Sequence, residues 1–365
     1  MLHRMRLAVA LLVPAIAASV RADSVTNQVI VSATQATEAN PRSTVFTDML
    51  NSSFDIGDAW TVSAGASITL EGETPAASRA QFGQSGSAVT LFSAGVDWSA
   101  TNEVNIGASL DVSPRSTQFA GTPVTLRQAN GNELGGDAQV RSQTSQITGG
   151  IDISWDSPGK SDLEWSFNGG IAFSHYGIEQ SVSHVRTETG STLTAQQLRQ
   201  QTVAYCNAHP KIRNCGQNLL AALDAVPTPL DYERFSAGAT ATLYRDTDVS
   251  LLGDWYLYDE DPAKIGYFGL AALGRGPGLP IAPLQYQIRP EVQHRMGDFS
   301  ARLWVEAGEY VAGTGESTAG IGGRFQYRFT KSFRAWLTLS GQRDVDSGGH
   351  VTRSGSVAAG AGYRW

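Results

Sequence analysis

From about residue 43 to its end, the chain alternates apolar and polar residues in stretches of about ten, and that rhythm restricts what it can fold into. Val104, Ile106, Ala108, Leu110 and Val112 alternate with Asn105, Gly107, Ser109, Asp111 and Ser113. Phe235, Ala237, Ala239, Ala241 and Leu243 alternate with Ser236, Gly238, Thr240, Thr242 and Tyr244. Phe333, Ala335, Leu337 and Leu339 alternate with Arg334, Trp336, Thr338 and Ser340. A period of two marks strands with one apolar and one polar face. Two all-β architectures fit: a soluble sandwich with the apolar face inward, or a transmembrane barrel with it outward in lipid.

Three features favour the barrel. The polar face carries Gly, Ser, Thr, Arg and Asp with little Lys, which suits a lumen better than an exposed sheet. Trp60, Trp98, Trp155, Trp165, Phe329 and Phe333 fall near strand ends, where aromatic girdles meet the lipid interface. Tight connections at Gly57-Asp58, Arg245–Asp248, Met296–Asp298 and Thr330-Lys331 alternate with long ones around 72–87, 115–142, 181–232 and 261–282. Short periplasmic turns and long outer loops produce that asymmetry. A mean hydropathy of −0.18 excludes a polytopic helical membrane protein, whose spans need repeated apolar runs of roughly 20 residues.

The last strand resembles the C-terminal signal of bacterial outer-membrane β-barrel proteins. Val357, Ala359, Ala361, Tyr363 and Trp365 lie on one face and end in an aromatic residue. The resemblance implies that the barrel-assembly machinery reads this strand during insertion, and that membrane lipid surrounds the finished wall. Residues 1–22 read as a secretory signal peptide. Arg4 and Arg6 form its basic start, Leu7–Val20 its apolar stretch and Val20-Arg21-Ala22 its cleavage site before Asp23. The expected mature unit is therefore a barrel over 23–365 in a bacterial outer membrane.

Counting back from the end predicts about fourteen strands, with twelve and a periplasmic tail as the alternative. The expected spans include 27–36, 43–56, 103–114, 143–156, 161–177 and 233–245, and the first two are irregular because Asp48 and Asn51 break the alternation. The one helical segment falls in an insertion at 181–232. There Thr194 and Gln197 have capping-box spacing, and Ala195, Leu198, Thr202 and Tyr205 share a face. A second short segment carries Leu219, Leu220 and Leu223 and is expected to end at Pro227 and Pro229. Cys206 and Cys215, in an oxidising compartment, predict a disulfide that staples this insertion. A metal site using His209 between them lacks a fourth ligand nearby. The insertion is either an extracellular cap or a segment that enters the lumen.

Nothing points to catalysis, a cofactor or a metal. G-x-S-x-G, H-E-x-x-H, C-x-x-C and P-loop patterns do not occur. Ser174-His175 is the nearest approach to a rim pair, but adjacent residues of a strand point to opposite faces. The formal charge of −7 argues against a general nucleic-acid binder.

With apolar residues outward, the early strands bring Asp97, Asp111, Asp152 and Glu164 to the lumen as an acidic wall. The late strands bring Arg289, Arg302, Arg324, Arg328, Arg334 and Arg364, with Glu291 and Glu306 among them, as a basic wall. The expectation is a channel for small solutes whose two walls set a transverse field; local pairing of those charges into a plug is the competing reading. A second function is a fourteen-stranded transporter of fatty acids or other hydrophobic compounds. Asn40-Pro41 faintly resembles the N-terminal motif of that family, although the segment before residue 43 is short for the family's plug. A third is a non-conducting structural or surface-interaction barrel.

Overall fold

The computed structural model describes residues 24–36, 43–73, 88–127, 133–158, 163–213, 226–262, 284–312, 316–345 and 351–364, together with 215, 220, 223 and 349. The expected leader and Trp365 lie outside the described residues. Chain order begins β1 (Ser24–Ala36), β2 (Ser43–Ile56), β3 (Trp60–Glu73), β4 (Ala88–Ser99), β5 (Val104–Arg127), β6 (Glu133–Asp156) and β7 (Leu163–Thr187). After β8 (Thr192–Thr194) and α1 (Ala195–Ala208) come β9 (Val226–Leu243), β10 (Thr247–Tyr258), β11 (Leu284–Met296) and β12 (Phe299–Tyr310). The chain closes with β13 (Ser317–Arg328), β14 (Phe333–Val345) and β15 (Val351–Arg364).

Each wall strand pairs antiparallel with its neighbours, and β1 pairs with β15 from Thr26↔Arg364 to Ala36↔Ser354. With β6 on β7 and β7 on β9, fourteen strands form a closed barrel; β8 adds only a short pairing to the outer end of β7. The register climbs as it goes round. Asn27 lies opposite Leu50, and the series continues through Ala66, Phe92, Val112, Ile147 and His175 to Asp231. A path perpendicular to the strands thus runs from one end of the wall to the other, which is the tilt a closed barrel requires.

The alternation resolves as the sequence predicts. Leu110, Ile151, Ile153, Phe173, Leu251, Leu303, Ile321 and Val357 stand exposed on the outer face. A continuous band of this kind has no stable place in water, since each such side chain gains roughly 1.5–3 kcal/mol on leaving it. Lipid covers it. At the turn end, Trp60 stacks on Trp98 and Trp155 on Phe167, and Phe329 packs against Phe333, so the expected aromatics form one girdle.

Four strands run well past the expected spans. β5 and β6 extend through most of what the pattern gave as a loop at 115–142, while β7 and β9 shorten the insertion to about 188–225. Above the membrane neither face needs to be apolar, so residues such as Arg141, Ser142, Gln143 and Thr144 form strand without alternation. Leu220 and Leu223 are helical, as expected, and Pro227 and Pro229 sit in β9 opposite Glu179 and Gly177 of β7. β10 stops at Tyr258, opposite Tyr232, so among the described residues no strand pairs with the other edge of β9 beyond that point. Two prolines spaced by two can turn their missing donors to that edge without loss of a ladder bond.

The insertion packs on the extended hairpin. Thr194 caps α1: its backbone N–H donates to Gln197 Oε1 at 2.9 Å, and its hydroxyl accepts from Gln197 N at 3.3 Å. Leu198 joins Leu223, Ala138, Val182 and Val185 in a small buried core, with Leu193, Ala195 and Leu220 around it. Val182 continues the parity of the lumen-facing Ser174 and Tyr176, so this core lies on the lumen side of the hairpin, above the mouth. Among the strands α1 touches β7 and β8, which makes the segment a cap at the outer end. Cys206 and Cys215 are bonded, with Cα atoms 5.5 Å apart.

Changing both cysteines to Ser should leave the heat-modifiable barrel intact and make 188–225 easier to nick, because the wall ladders do not pass through the cap. Protease digestion of the purified protein checks this. The β9–β10 turn offers a gain: Tyr244 and Arg245 both have positive φ (51° and 65°), a region that disfavours side chains bearing Cβ. Replacing them by Asn-Gly should stabilise the barrel by about 1 kcal/mol, read as a higher unfolding midpoint.

Candidate functional site

The lumen is the only space the wall encloses, and the register puts every expected wall residue on its inner face. Asp97 and Asp152 flank Gly107 on either side, Asp111 lies opposite Thr148, and Glu164 lies opposite Thr242. Across the barrel, Arg302 lies opposite Arg324, Arg328 opposite Arg334, and Arg364 opposite Thr26. In strand order β4–β7 and β11–β15 fall on opposite sides, so acidic and basic residues face each other across the interior.

The basic side is partly paired within itself. Arg289 reaches Glu291 at 3.1 Å, Arg302 lies 3.8 Å from the same carboxylate, and Arg328 bonds Asp298 at 2.9 Å. Arg302 also donates two hydrogen bonds to Gln293 Oε1, at 2.7 and 3.0 Å. Arg324 stacks on the Trp336 indole, its Cζ 4.7 Å from the ring centre, and its Nε has no hydrogen-bond partner. Like charges directly across a ladder repel. Glu291 and Asp298 thus anchor part of the arginines, while Arg324 relies on an aromatic face.

Aromatic residues supply what the sequence reading had not singled out. Trp304 lies against Gly322 and Trp336 against Gly360, so closely that a Cβ on either glycine would come 2.2 and 2.4 Å from the rings. Glycine lets the large indoles lie flat on the luminal wall. Nearer the mouth, Tyr232 stacks on Tyr176 at 5.9 Å between ring centres and meets Tyr256 at 5.7 Å and Tyr258 at 5.4 Å. The Tyr258 hydroxyl donates to Leu284 O at 2.8 Å, and Leu230 is buried beside this group at 1% exposure. These tyrosines lie below the cap. For Trp336 a sequence signal did exist, because it occupies lumen parity in a well-alternating strand, whereas Tyr232 falls just before the expected span 233–245.

Ser174 and His175 separate as strand geometry demands. Ser174 Oγ lies 2.9 Å from Thr148 Oγ1 on the inside, whereas His175 pairs with Asp231 at 2.5 Å on the outside.

No family profile matches the chain, and no curated protein matches it in sequence. Among solved structures, the chain is similar in fold to the CymD monoaromatic hydrocarbon channel, with a TM-score of 0.52, 9% identity, and coverage of 93% of this chain and 87% of that one. It is likewise similar to a Pseudomonas aeruginosa FadL homologue, with a TM-score of 0.53, 8% identity, and coverage of 93% and 89%. At such identities the likeness concerns the fold: a barrel architecture shared with outer-membrane channels.

Replacing Arg324, Arg328 and Arg334 together by Ser should raise the cation preference of any conducting path and steepen its salt dependence. Reversal potentials in a planar bilayer measure this; an unchanged value would place the basic wall away from that path.

Proposed function

We propose that the chain is a bacterial outer-membrane channel that passes small hydrophobic or amphipathic molecules, a narrower activity than general diffusion of polar solutes. The observation that carries this reading is the aromatic lining of the lumen: the Tyr176–Tyr232–Tyr256–Tyr258 group under the cap, and Trp304 and Trp336 farther down. Such faces attract apolar and aromatic solutes. Two similar folds, one a monoaromatic hydrocarbon channel and one a FadL homologue, support it. Arg302, Arg324 and Arg334 would let the path tolerate a polar or anionic end on such a solute.

In this reading the leader over 1–22 exports the chain, and Val357, Ala359, Ala361, Tyr363 and Trp365 are the strand that the assembly machinery reads. The cap controls access rather than carrying chemistry, and no group in the lumen is assigned a catalytic role.

Proteoliposomes holding the purified barrel test the proposal. A naphthalene-class probe should enter several-fold faster than into empty vesicles, and Tyr232→Ala with Tyr256→Ala should remove most of that gain. Small sugars should cause little swelling. Porin-like sugar entry, with the aromatic probe indifferent to the barrel, would refute the reading.

A further inference from the structure

Two arginines on the basic side of the lumen have no acid of their own. Glu291 serves Arg289 and Arg302, Asp298 serves Arg328, and Glu306 accepts from Gln287 at 3.2 Å. Among the described residues nothing accepts a hydrogen bond from Arg324 or Arg334, and no carboxylate pairs with either. The charges that act on Arg324 are those of Arg302 and Arg334, both of its own sign. Like charges gathered this way repel, and an anion placed among them relieves the repulsion.

The wall fixes where such an anion would sit. Trp336 is buried between Gly360 and the Arg324 guanidinium, whose Cζ stands 4.7 Å from the ring centre. Next along β15, three side chains converge over Gly362. The point a Cβ would occupy there is 3.4 Å from Gln28 Cγ, 3.4 Å from Trp336 Cζ3 and 3.5 Å from Arg334 Nε. Arg324 and Arg334 thus flank one indole, with the Gln28 side chain beside them. Stacking occupies the face of a guanidinium and leaves its edge N–H groups to meet a carboxylate.

The neighbouring strands decide what the anion carries. The lumen face of β1 and β2 is mostly polar, but Ile30 and Met49 belong to it. Ile30 lies opposite Gly360, the residue that Trp336 covers, and Met49 lies opposite Gln28. This is the other side of the irregularity in β2: with Asp48 outward, Met49 turns inward. Beyond Met49 the same row meets Ser67 of β3. The apolar stretch from β15 to β2 is therefore about two strand spacings, roughly 10 Å, long. A single ring fits that length, and a methionine sulfur favours contact with an aromatic edge. A long acyl chain would run past it on to polar wall, and a bare inorganic anion would leave it unused.

We propose that Arg324, Arg334 and Gln28, with Ile30 and Met49, form a binding site for a monoaromatic carboxylate of the benzoate class. The carboxylate lies between the two guanidiniums, and the ring lies on the Ile30–Met49 patch. This site rests on the channel reading and narrows its solutes from amphipathic molecules in general to aromatic acids.

Equilibrium binding of radiolabelled benzoate to the full-length barrel in lipid nanodiscs tests it. The native barrel should bind benzoate saturably, and Arg324→Gln should weaken that binding by about tenfold or more. Met49→Gln should weaken it several-fold. Acetate and chloride should displace benzoate only at far higher concentrations, and laurate should compete no better than benzoate itself. Three results overturn the proposal: no saturable binding, an Arg324→Gln variant that binds as the native barrel does, or chloride or laurate competing more strongly than benzoate. If Arg324→Gln loses the heat-modifiable form, Arg334→Gln decides by the same measure. Naphthalene entry into proteoliposomes of the same preparation keeps the two readings apart. Entry without benzoate binding overturns this site alone; neither entry nor binding overturns both.

Discussion

The ladder between β1 and β15 turns a sheet into a wall without edges. In lipid each unpaired backbone N–H or C=O costs several kcal/mol, so an open sheet of this length could not remain in a membrane. Closure then fixes the rest. It forces the strands to tilt, turns apolar side chains outward, and encloses a space that only the opposite parity can line. Where that requirement ends, above the membrane, the geometry relaxes: β5, β6, β7 and β9 continue as strands past the closed wall, and prolines enter β9.

That boundary also separates what the amino-acid pattern could reveal from what it could not. Inside the band, each strand has one apolar and one polar face, and residues such as Leu337 and Trp336 or Ile153 and Asp152 are assigned to sides by parity alone. Arg324 and Asp111 reach the lumen by that logic. Above the band, Thr144, Ser145 and Gln146 show no contrast between faces, and the pairing that makes them strand depends on partners on another segment. The capping box at Thr194 was legible because it is local. The tyrosine group was not: Tyr176, Tyr232, Tyr256 and Tyr258 lie on three strands, and only the register between those strands gathers them.

Asp48 shows the converse case, a local irregularity whose meaning depends on the closed wall. As a break in alternation it merely weakens the assignment of a strand. Once β2 is paired on both sides, no register is left in which Asp48 could face the lumen without turning Leu50, Phe54 and Ile56 inward with it. The wall therefore holds Asp48, bonded to Asn27, in lipid as a consequence of keeping all its apolar neighbours there.

Inside, the same parity rule brings charge and aromatic surface together. Arg324 has an indole on one side and Arg302 across the ladder on the other, so its positive charge is held by a π face instead of a carboxylate. A carboxylate at that position would neutralise the charge, as Glu291 does for Arg289. An aromatic face holds the guanidinium while leaving it able to meet a passing dipole or anion. With Trp304 and Trp336 beside it and acidic residues across the barrel, the lower lumen is both apolar to the touch and electrically asymmetric. A molecule with an apolar body and a polar end satisfies both properties at once. In the proposed channel, selectivity arises from residues of the wall itself, and the cap above need only regulate how solutes reach them.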